Sequence, residues 1–188
     1  MMMRRTAAGI TAAVAFAACS AATPIPAGRA LEPSSTYVSA LDKATRRVEH
    51  LETLDLHTYV YATLVTPDFT RAFDTEYHAV YGPAAAAPAL SAADDATVFL
   101  SLATNDRATS DLAAFGRLWV VTYANGSTAV TPRHIERYDR DALFMRYFFP
   151  YWSPWQQIYR VSFALPASTT TGGALELNGV GGHIKLAW

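Results

Sequence analysis

The chain is poor in cysteine, in lysine and in charge. Cys19 is the only thiol among 188 residues, which excludes a disulfide framework and any cysteine-based zinc site. Lys43 and Lys185 are the only lysines, and the formal net charge is −1, so no basic face is on offer and no nucleic-acid partner is expected. The remaining basic residues are arginines, a bias that fits the alanine-rich composition of a GC-rich coding sequence. No uncharged apolar run approaches the roughly 20 residues of a spanning helix. The chain also lacks a G-x-S-x-G elbow, a glycine-rich phosphate loop and an H-E-x-x-H pair. Its five histidines, His50, His57, His78, His134 and His183, form no metal-type pair at helical or strand spacing. No metal and no cofactor are therefore expected, and an enzyme reading rests only on groups that are distant in sequence.

What is present begins with an export signal. Arg4 and Arg5 precede the uncharged run Ala7 to Ala18, whose length suits a signal-peptide core and falls short of a spanning helix. Small residues then surround the thiol. The stretch FAAC, Phe16 to Cys19, resembles the lipobox of bacterial lipoproteins, matching it at Ala17, Ala18 and Cys19, with Phe16 where leucine is commonest. The resemblance implies cleavage before Cys19, which becomes the acylated mature N-terminus. Two or more acyl chains anchor stably, whereas one gives only marginal binding. The alternative is ordinary cleavage after Ser20 to Ala22, which would discard the thiol and release a secreted or periplasmic protein. Processing before Cys19 leaves 170 residues and, without Arg4 and Arg5, a formal charge of −3. That length suits one well-buried domain.

Three regions are expected: a lipoprotein signal peptide over 1–18, a Pro-, Gly- and Ala-containing tether over 19–33, and a single globular domain over 34–188. Within the last, 34–82 reads as helix–strand–helix and 94–188 as a β-rich sandwich. Val38, Leu41, Thr45 and Val48 share helical spacing, which predicts a helix over 34–52 capped by Ser34 or Ser35. From Leu54 to Thr66 the period becomes two, predicting a strand rich in Thr, Tyr and Val. A second helix follows, with Thr66 as N-cap, Pro67 in the first turn, a stripe of Phe69, Phe73, Tyr77 and Val80, and a stop at Gly82-Pro83. Pro83 to Ala93 is a low-complexity joint. From Asp94 onward short strands recur, with a hairpin at Asn125-Gly126, a run ALFMRYFF that is either a short helix or a buried strand, and a closing hairpin around Gly179 to Gly182. The expected fold class is α+β: a mostly antiparallel β-sandwich of Ig-like architecture preceded by two helices packed against it.

Two stretches are candidates for contact chemistry. The aromatic segment Arg146 to Arg160 holds Tyr147, Phe148, Phe149, Tyr151, Trp152, Trp155 and Tyr159, and its two prolines disfavour regular ladder pairing. Exposed members could stack on sugars or grip a partner, so Tyr151, Trp152 and Trp155 are candidate contact residues. The structural alternative is that these rings cap one end of the sandwich core, and Ser153-Pro154-Trp155 also resembles a helix start. The polar loop Thr104 to Leu112 brings Asn105, Asp106, Arg107 and Asp111 together. Asp106 and Asp111 are candidate ligand carboxylates, although the oxygen-ligand repeat of a calcium loop is missing and Asx-turns explain the composition equally well.

The stretch ATRRVEHLETLDLHTYVYATLVTPDFTRAF (44–73), with FGRLWVVTYANG (115–126) and RYFFPYWSPWQQIYRVSF (146–163), resembles a group of uncharacterised proteobacterial lipoproteins over most of the mature chain. The shared features are hydrophobic and aromatic, so the resemblance implies a fold and an envelope address but transfers no catalytic residue. Ser20 after the cysteine, rather than Asp, is similar to lipoproteins sorted to the outer membrane. The expected function is that of a lipid-anchored cell-envelope protein, a non-catalytic interaction module held to the membrane by its N-terminal lipid. The alternative is a glycan- or peptidoglycan-binding protein or an envelope hydrolase.

Overall fold

The computed structural model describes residues 32–53, 56–91, 95–105, 107–112, 118–166, 170, 172–179 and 182–188. The signal peptide, Cys19, all but the end of the tether and Asp106 lie outside the described residues. Leu31–Trp188 form one compact unit.

That unit is α+β, with two antiparallel sheets packed face to face and helices on the outer side of one of them. The elements run α1 (Ser35–Ala44), β1 (Thr45–Thr53), β2 (Leu56–Leu64), α2 (Pro67–Tyr81), β3 (Asp95–Ala103), a 3₁₀ turn (Arg107–Ser110), β4 (Trp119–Asn125), β5 (Thr128–Val130), β6 (Pro132–Arg137), α3 (Ala142–Phe148), β7 (Gln157–Pro166), β8 (Ala174–Gly179) and β9 (Gly182–Ala187). One sheet has the strand order β1-β2-β3-β7-β6 and the other β5-β4-β8-β9. Every pairing is antiparallel.

The period-two pattern of β2 is what faces the second sheet. Thr58, Val60, Ala62 and Leu64 are buried and their register sets Val60 opposite Leu102, Ala62 opposite Leu100 and Leu64 opposite Val98. With Val161 and Phe163 of β7 and Val121, Tyr123, Leu175, Leu177, Ile184 and Leu186 of the other sheet they form the inter-sheet core. The opposite face of β3 is covered too, because Thr97, Phe99 and Ser101 are fully buried. Phe99 belongs to a second core with Tyr37 and Leu41 of α1, Phe69 and Phe73 of α2, and Phe144, Met145 and Phe148 of α3. The five-stranded sheet is thus the middle layer of three. Its outer strand β6 opens with Pro132 and carries Arg133 and Arg137, residue types that blunt edge-to-edge pairing.

The second helix matches its sequence signals. Thr66 accepts from the Phe69 N–H at 3.1 Å, Pro67 occupies the first turn, and Gly82 ends the helix at φ 92°, where a β-carbon would be strained. The first helix does not. Ser34 caps it, accepting from the Tyr37 N–H at 3.2 Å, but it stops at Ala44, and residues 45–53 form β1 rather than a continuing helix. Its buried face is Tyr37, Leu41 and Ala44, whereas Val38 is exposed. Two side chains satisfy the carbonyls left free at its end: Arg46 Nη1 donates to the Lys43 carbonyl at 2.9 Å and Trp188 Nε1 to the Ala44 carbonyl at 2.6 Å. Thr45 then pairs opposite Thr63 and Val48 opposite Val60 in the ladder with β2. The N-terminal portion is therefore helix–strand–strand–helix. The ALFMRYFF run resolves as helix α3, and the Asn125-Gly126 turn joins β4 to β5 with Gly126 at φ 60°.

Candidate functional site

The aromatic segment divides into three parts. Tyr147 and Phe148 belong to α3, which starts where Asp141 Oδ1 accepts from the Phe144 N–H at 2.9 Å. Tyr159 lies in β7, and only 149–156 is irregular. No helix begins at Ser153-Pro154. The rings do not cap the end of the sandwich. Tyr159 joins the inter-sheet core and Trp155 is exposed, while the others fill the space between the helices and the outer face of the middle sheet.

Most of these rings are structural. Phe148 is fully buried and lies 4.7 Å from Phe144, 4.8 Å from Phe73 and 5.8 Å from Tyr37 between ring centroids. Its carbonyl accepts from the Tyr37 hydroxyl at 2.6 Å. Phe149 is buried against Phe99 at 5.2 Å. Tyr151 stacks on Tyr61 at 5.0 Å and hydrogen-bonds Thr63 Oγ1 at 2.8 Å. Burial holds its phenol well above the ordinary range.

The next turn presents one ring outward. The Trp152 N–H donates to the Phe149 carbonyl at 2.7 Å and the Gln156 N–H to the Ser153 carbonyl at 2.9 Å. Trp152 is half-buried, its indole N–H donating to the Gln156 carbonyl at 3.1 Å. Trp155, in the same turn, is 84% exposed, the most exposed of the large apolar side chains described. Of the three aromatic candidates, Tyr151 and Trp152 serve the fold and Trp155 is free.

Behind this turn lies a small, mostly polar pocket of about 80 Å³, whose lining includes Arg137, Asp139, Arg140 and Gln157 beside Tyr138 and Gln156. The Tyr138 hydroxyl and Gln156 Oε1 are sealed from solvent with no partner at hydrogen-bond geometry, although Arg140 lies near enough to the Tyr138 hydroxyl to act on it as a donor. The Arg140 guanidinium lies 5.3 Å from the centroid of the Tyr138 ring. Burial raises the Tyr138 phenol, and Arg140 offsets part of that rise. Sequence patterns gave no signal for this pocket, since Tyr138 follows a strand and Gln156 sits in a turn.

The polar-loop candidates have a different fate. Asp111 accepts from the Tyr159 hydroxyl at 2.9 Å, tying the 3₁₀ turn to β7. Burial pushes that phenol up, and the neighbouring carboxylate pushes it further. Asp106, its proposed partner, lies outside the described residues.

The most buried described carboxylate belongs to Glu76 on α2, a residue sequence reading did not single out. Its Oε1 accepts from the Ser34 N–H at 3.0 Å and the Tyr147 hydroxyl at 2.6 Å, and its Oε2 from Ser34 Oγ at 2.5 Å. Burial alone would raise its pKa, but the bonds from Ser34 and Tyr147 outweigh that and hold it below the ordinary glutamate range. Glu76 lies in a wide groove of about 1140 Å³ between α1 and α2. Several polar groups there are committed to the helices: Ser34 and Thr66 cap them, and Thr75 Oγ1 donates to the Arg71 carbonyl.

His78 Nδ1 lies 3.3 Å from the Gly82 carbonyl and His183 Nδ1 2.7 Å from Asn178 Oδ1, while His134 is exposed. Among the described residues no three metal-type ligands converge, and no helix is long and apolar enough to cross a membrane. No protein family, no curated protein and no solved structure matches the chain.

Proposed function

We propose that this chain is a lipid-anchored, non-catalytic module of a bacterial envelope that makes its contact through the turn carrying Trp155. The observation that carries the contact is the exposure of Trp155 beside aromatic neighbours that are buried or half-buried. An exposed tryptophan on a hydrogen-bonded turn offers a large rigid apolar face at low ordering cost. Two carboxylates beside buried groups have structural duties, Glu76 at the α1 cap and Asp111 on Tyr159.

The anchor follows from the lipobox-like FAAC, which makes Cys19 the acylated first residue of an outer-membrane lipoprotein facing the periplasm or the surface. Membership of the proteobacterial lipoprotein group belongs to the same proposal. A tether over 19–33 would hold the domain near membrane partners, and tethering raises effective concentration without any new contact.

Two measurements test this reading. The intact mass of the chain from its native envelope is expected to begin at Cys19 with added acyl mass. An unmodified chain starting further on, for example at Thr23, would refute the anchor and leave a secreted protein. In urea unfolding, Trp155→Ala should stay within about 0.5 kcal/mol of the parent, as surface changes do. Trp152→Ala should cost about 1–2 kcal/mol through lost packing and its indole hydrogen bond. Unfolding of the domain by Trp155→Ala would make that ring core and end the contact proposal.

A further inference from the structure

We propose that the α2–α3 face bearing Tyr81, Leu143 and Tyr147 rests on the lipid surface to which the chain is anchored. The inference rests on the anchor reading and deepens it, naming the bilayer itself as a contact of the domain in addition to the Trp155 turn.

The three side chains share one surface. Leu143 and Tyr147 are four residues apart on α3, and are therefore neighbours on one side of that helix. The helix runs antiparallel to α2. At one end the Tyr147 hydroxyl donates to Glu76 at 2.6 Å. At the other, burial and then the Asp141 carboxylate raise the Tyr81 phenol. Tyr81 in turn adds to the rise at Tyr147 that burial and Glu76 begin. Leu143 thus stands on the side of α3 that leans over the last turn of α2, where the Tyr81 ring lies 4.5 Å from Tyr77 and 6.5 Å from Phe148. Leu143 is 80% exposed and Tyr81 46%, and neither belongs to a core of the domain.

Chemistry and position both select lipid. Tyrosine rings favour the headgroup level of a bilayer, and a leucine beside them reaches the acyl boundary. Arg146, three positions after Leu143, is exposed, and its stem can lie along apolar surface while its charge stays in water. The exposed charges around the face, Asp139, Asp141, Arg140 and Arg146, balance one another, so the attraction is apolar and interfacial. Position follows from where the chain enters. The Tyr147 hydroxyl lies 3.5 Å from the Glu32 carbonyl, which puts the entry to the domain beside this face. Thirteen residue steps separate Cys19 from Glu32, at most about 45 Å of extended chain. Anchoring at Cys19 holds this end of the domain near the bilayer at high effective concentration.

The test couples the chain from Cys19 onward, through that thiol, to a maleimide phospholipid in vesicles of phosphatidylethanolamine and phosphatidylglycerol. Native acylation is then not required. An environment-sensitive fluorescent residue replaces Leu143 or, as reference, Val120 on the other sheet. Both positions are exposed, so both labelled chains should keep the parent's urea midpoint. Phospholipids brominated in their acyl chains are expected to quench the probe at 143 at least about fivefold more than the probe at 120. Equal quenching at the two positions, or none at 143, would overturn the inference. A blue shift at 143 without quenching would also overturn it, since another protein surface would then cover the face. The anchor reading fails separately, through an unmodified mass in the native envelope, and the result with the thiol-coupled chain would still stand.

Discussion

Phe148→Ala is expected to lower the unfolding free energy by about 3–5 kcal/mol, the usual cost of truncating a fully buried phenylalanine. The ring is completely buried and lies within 6 Å, centroid to centroid, of Tyr37, Phe73, Phe144 and Tyr147. These four come from α1, α2 and α3, so the cavity would open where all three helices meet. Because a domain has only about 5–15 kcal/mol in total, the variant should sit close to its unfolding threshold. Urea denaturation followed by near-ultraviolet circular dichroism reads this directly. A loss below 1 kcal/mol would mean that the helical layer is not packed through Phe148.

Replacing Glu76 should have the next largest effect, and one that depends on pH. Glu76→Ala strips the acceptor from the Ser34 N–H, Ser34 Oγ and the Tyr147 hydroxyl, and should cost about 2–3 kcal/mol near neutrality. Glu76→Gln keeps one oxygen and should cost about 1 kcal/mol. The sign of the pH effect follows from the depressed carboxylate pKa in the folded chain. A group whose pKa is lower folded than unfolded adds stability above its unfolded value, about 4.3 for glutamate, and loses it as pH falls through the folded value. The stability difference between the parent and Glu76→Gln should therefore be full at pH 7 and shrink progressively below about pH 5. Urea titrations of both proteins at pH 7 and pH 3.5 give the comparison. A gap that stays constant or widens in acid would contradict the assignment.

Both residues show what could be read from sequence. The second helix was legible because its signals are local: Thr66, Pro67 and Asp68 at one end, Gly82 at the other, and Phe69 and Phe73 on one face. The alternation of β2 and the Asn125-Gly126 turn were legible for the same reason. The end of α1 was not. No glycine or proline marks it, and its free carbonyls are taken by Arg46 and by Trp188, the latter 144 positions away. Helical spacing continued through Thr45 and Val48, and strand pairing with β2 overrode it. Glu76 was hidden likewise, since the residue that explains its burial, Ser34, is 42 positions distant.

The candidate site was half legible. Composition identified the aromatic segment, but burial decides which ring is free, and burial belongs to the three-layer packing. The same packing brings Tyr138 and Gln156 to one small pocket from separate segments, a juxtaposition no local pattern records. Asp111 entered as a ligand candidate and stands as the partner of Tyr159.

The central claim, that Trp155 is where this domain meets its envelope partner, can be tested in the native envelope by placing a photocrosslinking residue at position 155. A matched probe at Val120, which is 52% exposed on the other sheet, provides the reference. Discrete ultraviolet-dependent adducts to protein or glycan are expected from position 155 and not from position 120. An adduct-free position 155, or the same adduct pattern from both positions, would contradict the account.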